Sequence, residues 1–570
     1  MSGFSTLGWC GLAVLALAAC GAPPAPPSAP APQSAPAPQS APAPQPAATD
    51  ELLGRIVERY WDEHLGKDNA ISPQFLADSL SIERRYLAEV RGLPRDGLDA
   101  ASRLTYDIFE RQRELIIEGF TFPSELLPIN PFGGVPQQFA AQASGLARHP
   151  PASAADYQNW LGRIDEYVRW TQQAAVNMRE GMRRGYTSPR VLVDRMLPIL
   201  ERLGADESAN VFYAPLRTLP TSIAEPARGE LTKSITVAIS QRLLPANRAL
   251  HDFLRQEYLP RARAGIALSE LPLGDQWYAY RIKRATGAAM SPDEISRIGA
   301  AEVQRIGVQA QAHDAAALAG PELVSAYRDL EAQVRTAMAN LFSEVPQEDF
   351  DIRAAEWLSE PAGALYYQRA GSSSGGTPAV LYVDTGRAAA RRVSVAGFLQ
   401  QGLPGHHLQI ALQQERTSLP RFRRFGTDAA FTEGWGLYAA SLGEALGLYP
   451  DESAKSDAAA VEMRCAVALV VDTGLHAKGW TRAQALDYLR AHLGLDDLDA
   501  QGMIDWYAAK PADALACMAG LRFRALRTRT QQLLGGRFDV REFHAEILRD
   551  GAMPMDLLEA KMKVWADASK

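Results

Sequence analysis

Phe398-Leu-Gln-Gln-Gly-Leu-Pro-Gly-His-His-Leu-Gln409, followed by Phe431-Thr-Glu-Gly-Trp435, is the stretch around which this sequence is organised. It holds an adjacent histidine pair, His406 and His407, and a downstream carboxylate, Glu433. Histidines on one helix and a glutamate on a second form a donor set suited to zinc. An active site of that kind also needs a further ligand and a general base just upstream. Those places read Gln400 and Gln401, two neutral amides.

Around this stretch the pattern is mostly helical. Apolar residues recur on one helix face at Leu52, Leu53, Ile56, Val57, Tyr60 and Trp61. Ser291-Pro-Asp-Glu294 reads as a capped helix start, and Thr481-Arg-Ala-Gln484 repeats the capping-box pattern. Long amphipathic segments cover 157–183, 243–264, 321–342 and 452–478. Strand-like runs are few: Phe350-Asp-Ile-Arg353, Ala364-Leu-Tyr-Tyr-Gln368 and Ala379-Val-Leu-Tyr-Val383. The last two flank a loop, Gly371-Ser-Ser-Ser-Gly-Gly376, which lacks the spacing of a phosphate-binding loop. The expected fold is mainly α, with a small sheet beside the His-His helix.

The chain has 570 residues and a net charge of −7, with its basic residues dispersed, which leaves no electrostatic footprint for nucleic acid. Its length exceeds a single core of roughly 250–300 residues, so two lobes or two packed domains are expected. The N-terminal part differs sharply in composition. Gly11 to Ala19 is a short apolar run ending in Leu17-Ala-Ala-Cys20, and residues 21–49 are rich in Pro, Ala, Gln and Ser. The run is too short to span a bilayer and fits a secretion leader. The Leu-Ala-Ala-Cys ending resembles a bacterial lipobox, in which the cysteine becomes the lipidated first residue. Met1 to Cys10 carries no Lys or Arg, a departure from the usual basic start. The Pro-rich segment favours extended conformations and reads as a tether. The expected organisation is a leader over 1–20, a tether over 21–49 and a folded body over 50–570. Cys20 would anchor the chain to a membrane, facing the periplasm. Gly21 after the cysteine resembles lipoproteins of an outer membrane. Cys465 and Cys517 lie in apolar surroundings; the favoured reading is buried free thiols, with a disulfide the alternative in an oxidising compartment.

Leu403-Pro-Gly-His-His-Leu-Gln409, Phe431-Thr-Glu-Gly-Trp435 and Val471-Asp-Thr-Gly-Leu-His-Ala-Lys-Gly-Trp480 resemble motifs of the bacterial family catalogued as domain of unknown function 885. That family is similar to helical zinc peptidases of the zincin type. The resemblance implies a large helical domain with a deep cleft. It also implies a His-Glu-x-x-Pro-Gly-His-His motif, whose first His falls on Gln400 and whose Glu, the general base, falls on Gln401. The metal ligands would then come from His406, His407 and Glu433, with His406 preferred as the ligand and His407 kept as a substrate contact or a residue supporting the ligands. Tyr366, Tyr367 and His476 become candidate substrate contacts, and Glu415 or Asp428 substitute bases. Near the C-terminus the family resembles Arg-Tyr-x-x-x-Pro-Gly-Gln-Ala-Leu-x-Tyr, whereas this chain has Trp506-Tyr-Ala-Ala-Lys-Pro-Ala-Asp-Ala-Leu-Ala-Cys517. Three altered motif sites point to a degenerate peptidase that binds a peptide or an envelope partner, with zinc held weakly or not at all. An active zinc peptidase using His406, His407 and Glu433, and a purely structural lipoprotein, are the alternatives. Read from the residues alone, the histidines could be polar groups at a helix end and Glu433 a capping acid.

Overall fold

A computed structural model describes residues 46–64, 70–144, 153–307, 318–355, 365–368, 379–385 and 392–570. The leader, Cys20, most of the expected tether and the Gly371–Gly376 loop lie outside these residues. Residues from Pro46 onward form one unit, and it is mainly helical. Its first helix, Pro46–His64, begins inside the segment expected to be tether. Proline at the first helical position followed by two alanines explains the earlier start.

The amphipathic segments fold as helices with the caps the sequence expects. Segment 157–183 lies within helix Ala154–Arg184, which carries a full capping box from Ser153 and Asp156. Segment 452–478 is helix Glu452–Ala477. Ser291 accepts the Glu294 N–H at 3.2 Å, and Pro292 opens helix Pro292–Ile306. Thr481 and Gln484 cap each other's backbone at the start of helix Arg482–Leu493. Segment 243–264 departs from a single regular helix. Helix Leu244–Phe253 sits between two π-turns, Ile239–Leu243 and Leu254–Tyr258.

The sheet has three strands: β1 (Phe350–Ala354), β2 (Leu365–Gln368) and β3 (Ala379–Val383), in the order β1-β3-β2. β1 runs parallel to β3, and β2 runs antiparallel to it. β3 is buried along its whole length, as a central strand covered on both faces must be. Its unbroken apolar run, Ala379-Val-Leu-Tyr-Val383, is the sequence form of that burial.

One apolar cluster joins the sheet to the motif helices through Phe350, Leu381, Phe398, Leu408, Phe431 and Trp435. A second is built from a continuous part of the chain, Ile129 to Tyr258, and contains none of the motif residues. Cys465 and Cys517 are joined in a disulfide with their Cα atoms 6.0 Å apart. This corrects the free-thiol expectation. Fifty-two residues separate the two in sequence, so only the fold places them within bridging distance.

Candidate functional site

The motif helix does not run unbroken. Helix Val395–Gln401 stops, residues 402–405 form a break containing a cis Leu403–Pro404 bond, and a new helix, His406–Glu415, starts at the first histidine. Gly405 is required there, because a Cβ would come within 1.9 Å of the Gln400 carbonyl oxygen. Ser394 caps the first helix, accepting the Gly397 N–H. The Asp457 carboxylate holds that cap from outside, accepting from the Ser394 hydroxyl at 2.8 Å and the Ala396 N–H at 2.9 Å.

The break sends the four polar residues in two directions. The Gln400 backbone carbonyl and the His406 ring meet the helix Ala429–Ala440, which carries Glu433. The His406 Nε2 lies 3.6 Å from a Glu433 carboxylate oxygen. Gly436, one turn after Glu433, allows the close approach. A Cβ there would sit 2.6 Å from His406 Nε2 and 3.1 Å from the Gln400 carbonyl oxygen. His406 is 6% exposed and its Nε2 has no hydrogen-bond partner, whereas the Glu433 side chain is 41% exposed. Asp428, not Glu433, caps this helix by accepting the Phe431 N–H at 2.9 Å, so the capping role considered for Glu433 is corrected.

Gln401 and His407 instead meet the sheet. The Tyr367 N–H of β2 donates to the Gln401 amide oxygen at 3.3 Å. His407 is fully buried, with Nε2 3.1 Å from the Glu348 carbonyl and Nδ1 3.1 Å from the Tyr367 hydroxyl. A carbonyl only accepts, so Nε2 carries the proton and Nδ1 receives the tyrosine O–H. Burial, reinforced by the Arg335 charge, lowers His407 to about 4, which keeps it neutral. Both ring nitrogens are committed, and His407 fastens the second helix to the sheet.

The other candidates separate in the same way. Tyr367 is buried and engaged with His407, while Tyr366 is half-exposed. His476 lies in the core. It is fully buried, with Nδ1 accepting the Leu268 N–H at 3.0 Å and Nε2 3.1 Å from the Tyr507 carbonyl. Burial lowers it to about 3, which keeps it neutral. Glu415 accepts the backbone N–H groups of Gln347 and Glu348 at 2.7 and 2.9 Å.

Among the described residues the side chains do not complete a zinc centre. His406 and Glu433 supply two donors where a catalytic site uses three. Among the described residues no group of three His, Cys, Asp or Glu side chains is placed to hold a metal ion.

Sequence reasoning missed several residues that shape the site. Trp435 Nε1 donates to the Pro404 carbonyl at 2.9 Å and ties the break to the Glu433 helix. Gln409 donates to Gln413 at 2.8 Å and accepts from Thr432 at 3.1 Å. Gln413 in turn donates to the Arg423 and Gly426 carbonyls. The legible signal was the repeated glycine of Gly434-Trp-Gly436, which marks a helix approached closely on two faces.

A family profile described as "Bacterial protein of unknown function (DUF885)" matches residues 53–562. The chain belongs to the DUF885 family. Two solved structures share the fold of this DUF885 chain. One is described as a "putative lipoprotein" from Colwellia psychrerythraea. It is 22% identical, covers 91% of this chain and 100% of its own, and has a TM-score of 0.83. The other, a "putative lipoprotein of unknown function" from Shewanella oneidensis, is 13% identical with the same coverages and a TM-score of 0.64. No curated protein matches the sequence. Among the described residues no helix is long and apolar enough to cross a membrane.

Proposed function

We propose that this DUF885 member is a cell-envelope lipoprotein whose metallopeptidase-like scaffold binds a peptide or an envelope protein without hydrolysing it. The observation that carries the reading is the fate of Gln401. The residue at the presumed general-base position spends its amide oxygen on the Tyr367 backbone N–H. A carboxylate could accept the same bond, so packing does not dictate glutamine. What the amide removes is the ability to take a proton from water, worth roughly 10²–10⁴ in rate. The His406–Glu433 pair lacks the third ligand that would hold zinc firmly. Glu433 remains reachable from solvent, which favours a binding surface over a purely structural role. The leader ending at Cys20 and the Pro-rich tether support an envelope location facing the periplasm, as do the descriptions of the two structural neighbours. Gly21 favours the outer membrane.

The test pairs elemental zinc analysis with a peptidase assay on the mature protein and on the double variant Gln400→His, Gln401→Glu. The wild type is expected to hold no stoichiometric zinc and to cleave nothing. The double variant is expected to gain both properties. Robust zinc-dependent cleavage by the wild type would overturn the proposal.

A further inference from the structure

The motif Val471-Asp-Thr-Gly-Leu-His476 plays no part in the His406–Glu433 site, yet it contains a carboxyl group buried with no cation on it. Asp472 is fully buried on helix Glu452–Ala477. The Tyr278 hydroxyl donates to Asp472 Oδ1 at 2.5 Å, and both carboxyl oxygens lie 3.1 Å from the Ala512 nitrogen. Ala512 has φ +66°, a region unfavourable for a residue with a Cβ, so the carboxyl group holds a strained turn in place. The same turn is tied at its far end by the Cys465–Cys517 disulfide. Cys465 and Asp472 are seven residues apart, nearly two helical turns, and so share one face of their helix.

On its other side the turn packs against helix Ala429–Ala440. Just past the turn, where helix Ala519–Leu534 begins, Gly434 lets the two helices meet, since a Cβ would come within 2.6 Å of the Ala519 Cβ. Release of the turn therefore removes support from the helix that carries Glu433. We propose that residues 510–518 form a proton-sensitive latch on the Glu433 helix, with Asp472 as its sensor and the disulfide as its fixed hinge.

The groups facing Asp472 set the sign. From helix Gly274–Thr286 come Tyr278 and Arg281. Arg281 is engaged by the Pro511 carbonyl at 2.9 Å and Asp513 at 2.8 Å. Helix Asp497–Ala509 and its end bring Tyr507 and Lys510; burial raises the tyrosine and lowers the lysine. His476, on the same helix as Asp472, stays neutral. Burial raises Asp472 to about 7 against an ordinary 3.8, and the bonds from Tyr278 and Ala512 offset only part of that rise. In an opened turn water reaches the carboxyl group, and its affinity for the proton falls back. The closed turn thus binds a proton that the open turn releases. Opening becomes easier as pH rises, by about tenfold per unit between about 4 and 7, and then levels off. The latch closes on acidification.

Hydrogen exchange on the full mature chain reads this directly. The peptide containing the Ala512 amide is followed from pH 5 to 8, with protection corrected for intrinsic exchange. Protection is expected to fall with the tenfold slope and flatten near pH 7 in the wild type, and to be pH-independent in Asp472→Asn. A flat wild-type profile, or the same slope in the Asn variant, overturns the proposal. If Asp472→Asn fails to fold, Tyr278→Phe decides. Loss of a donor to the carboxylate should move the midpoint to higher pH, and an unmoved midpoint overturns the latch.

Discussion

Two adjacent histidines with the same chemistry receive opposite environments, and the difference lies in what their nitrogens meet. His407 exchanges water for a carbonyl and a hydroxyl, so its burial is compensated; His406 Nε2 finds no partner within hydrogen-bond reach. A buried polar atom left so costs on the order of 1–3 kcal/mol. The close approach that creates it depends on Gly436. Replacing Gly436 with Ala puts a methyl group against the imidazole and the Gln400 carbonyl. We expect a loss of about 1–3 kcal/mol in urea denaturation. The exposed mid-helix Gly162 has nothing near its missing Cβ, so Gly162→Ala should instead stabilise by about 0.5–1 kcal/mol. Equal effects at the two glycines would show that the approach to His406 is not tight.

At the scale of elements, the break at 402–405 decides the site. In an unbroken helix, residues 400 and 407 would point the same way. The proline and two glycines instead start a new helix at His406, so that His406 faces the Glu433 helix while Gln401 and His407 both meet Tyr367 of the sheet. Pro404 and Gly405 made a distortion legible in the sequence, but its direction depends on Trp435 and Tyr367, which approach from other elements. The disulfide is a second link between elements, joining helix Glu452–Ala477 to the turn before helix Ala519–Leu534. Closing a loop of this length constrains the unfolded chain by about 4 kcal/mol. The double variant Cys465→Ser, Cys517→Ser should lose stability of that order, and reductant should do the same to the wild type. A denaturation midpoint indifferent to reductant would show that no such bond forms in solution.

For the whole molecule, buried neutral histidines outweigh the buried acid. His544 and His476 are both fully buried and held at about 4 and about 3. Unfolded, each binds its proton near 6.5. The unfolded chain therefore takes up more protons below pH 6.5, and the stability they contribute is lost as pH falls toward 4 and then 3. Asp472 acts in the opposite sense, because its raised value stabilises the folded chain on acidification. The histidine shifts together span about twice the range of the Asp472 shift. The stability that these two histidines contribute should therefore be lost between pH 6.5 and 4, even while the latch tightens. Denaturation midpoints measured across that range check the sign. A stability that rises on acidification would mean that the two histidines are not buried neutral.

The sequence by itself determined the helices, their caps, the three strands and the family, because periodicity, capping and motif spacing are local properties of neighbouring residues. It also carried the two glutamines and the His406–Glu433 pairing. Tertiary structure alone decided which histidine was free, that His476 belongs to the core and that two distant cysteines are bonded. Those outcomes rest on partners brought from 31 to 208 residues away, and a polar side chain's role is set by whichever group desolvates or satisfies it.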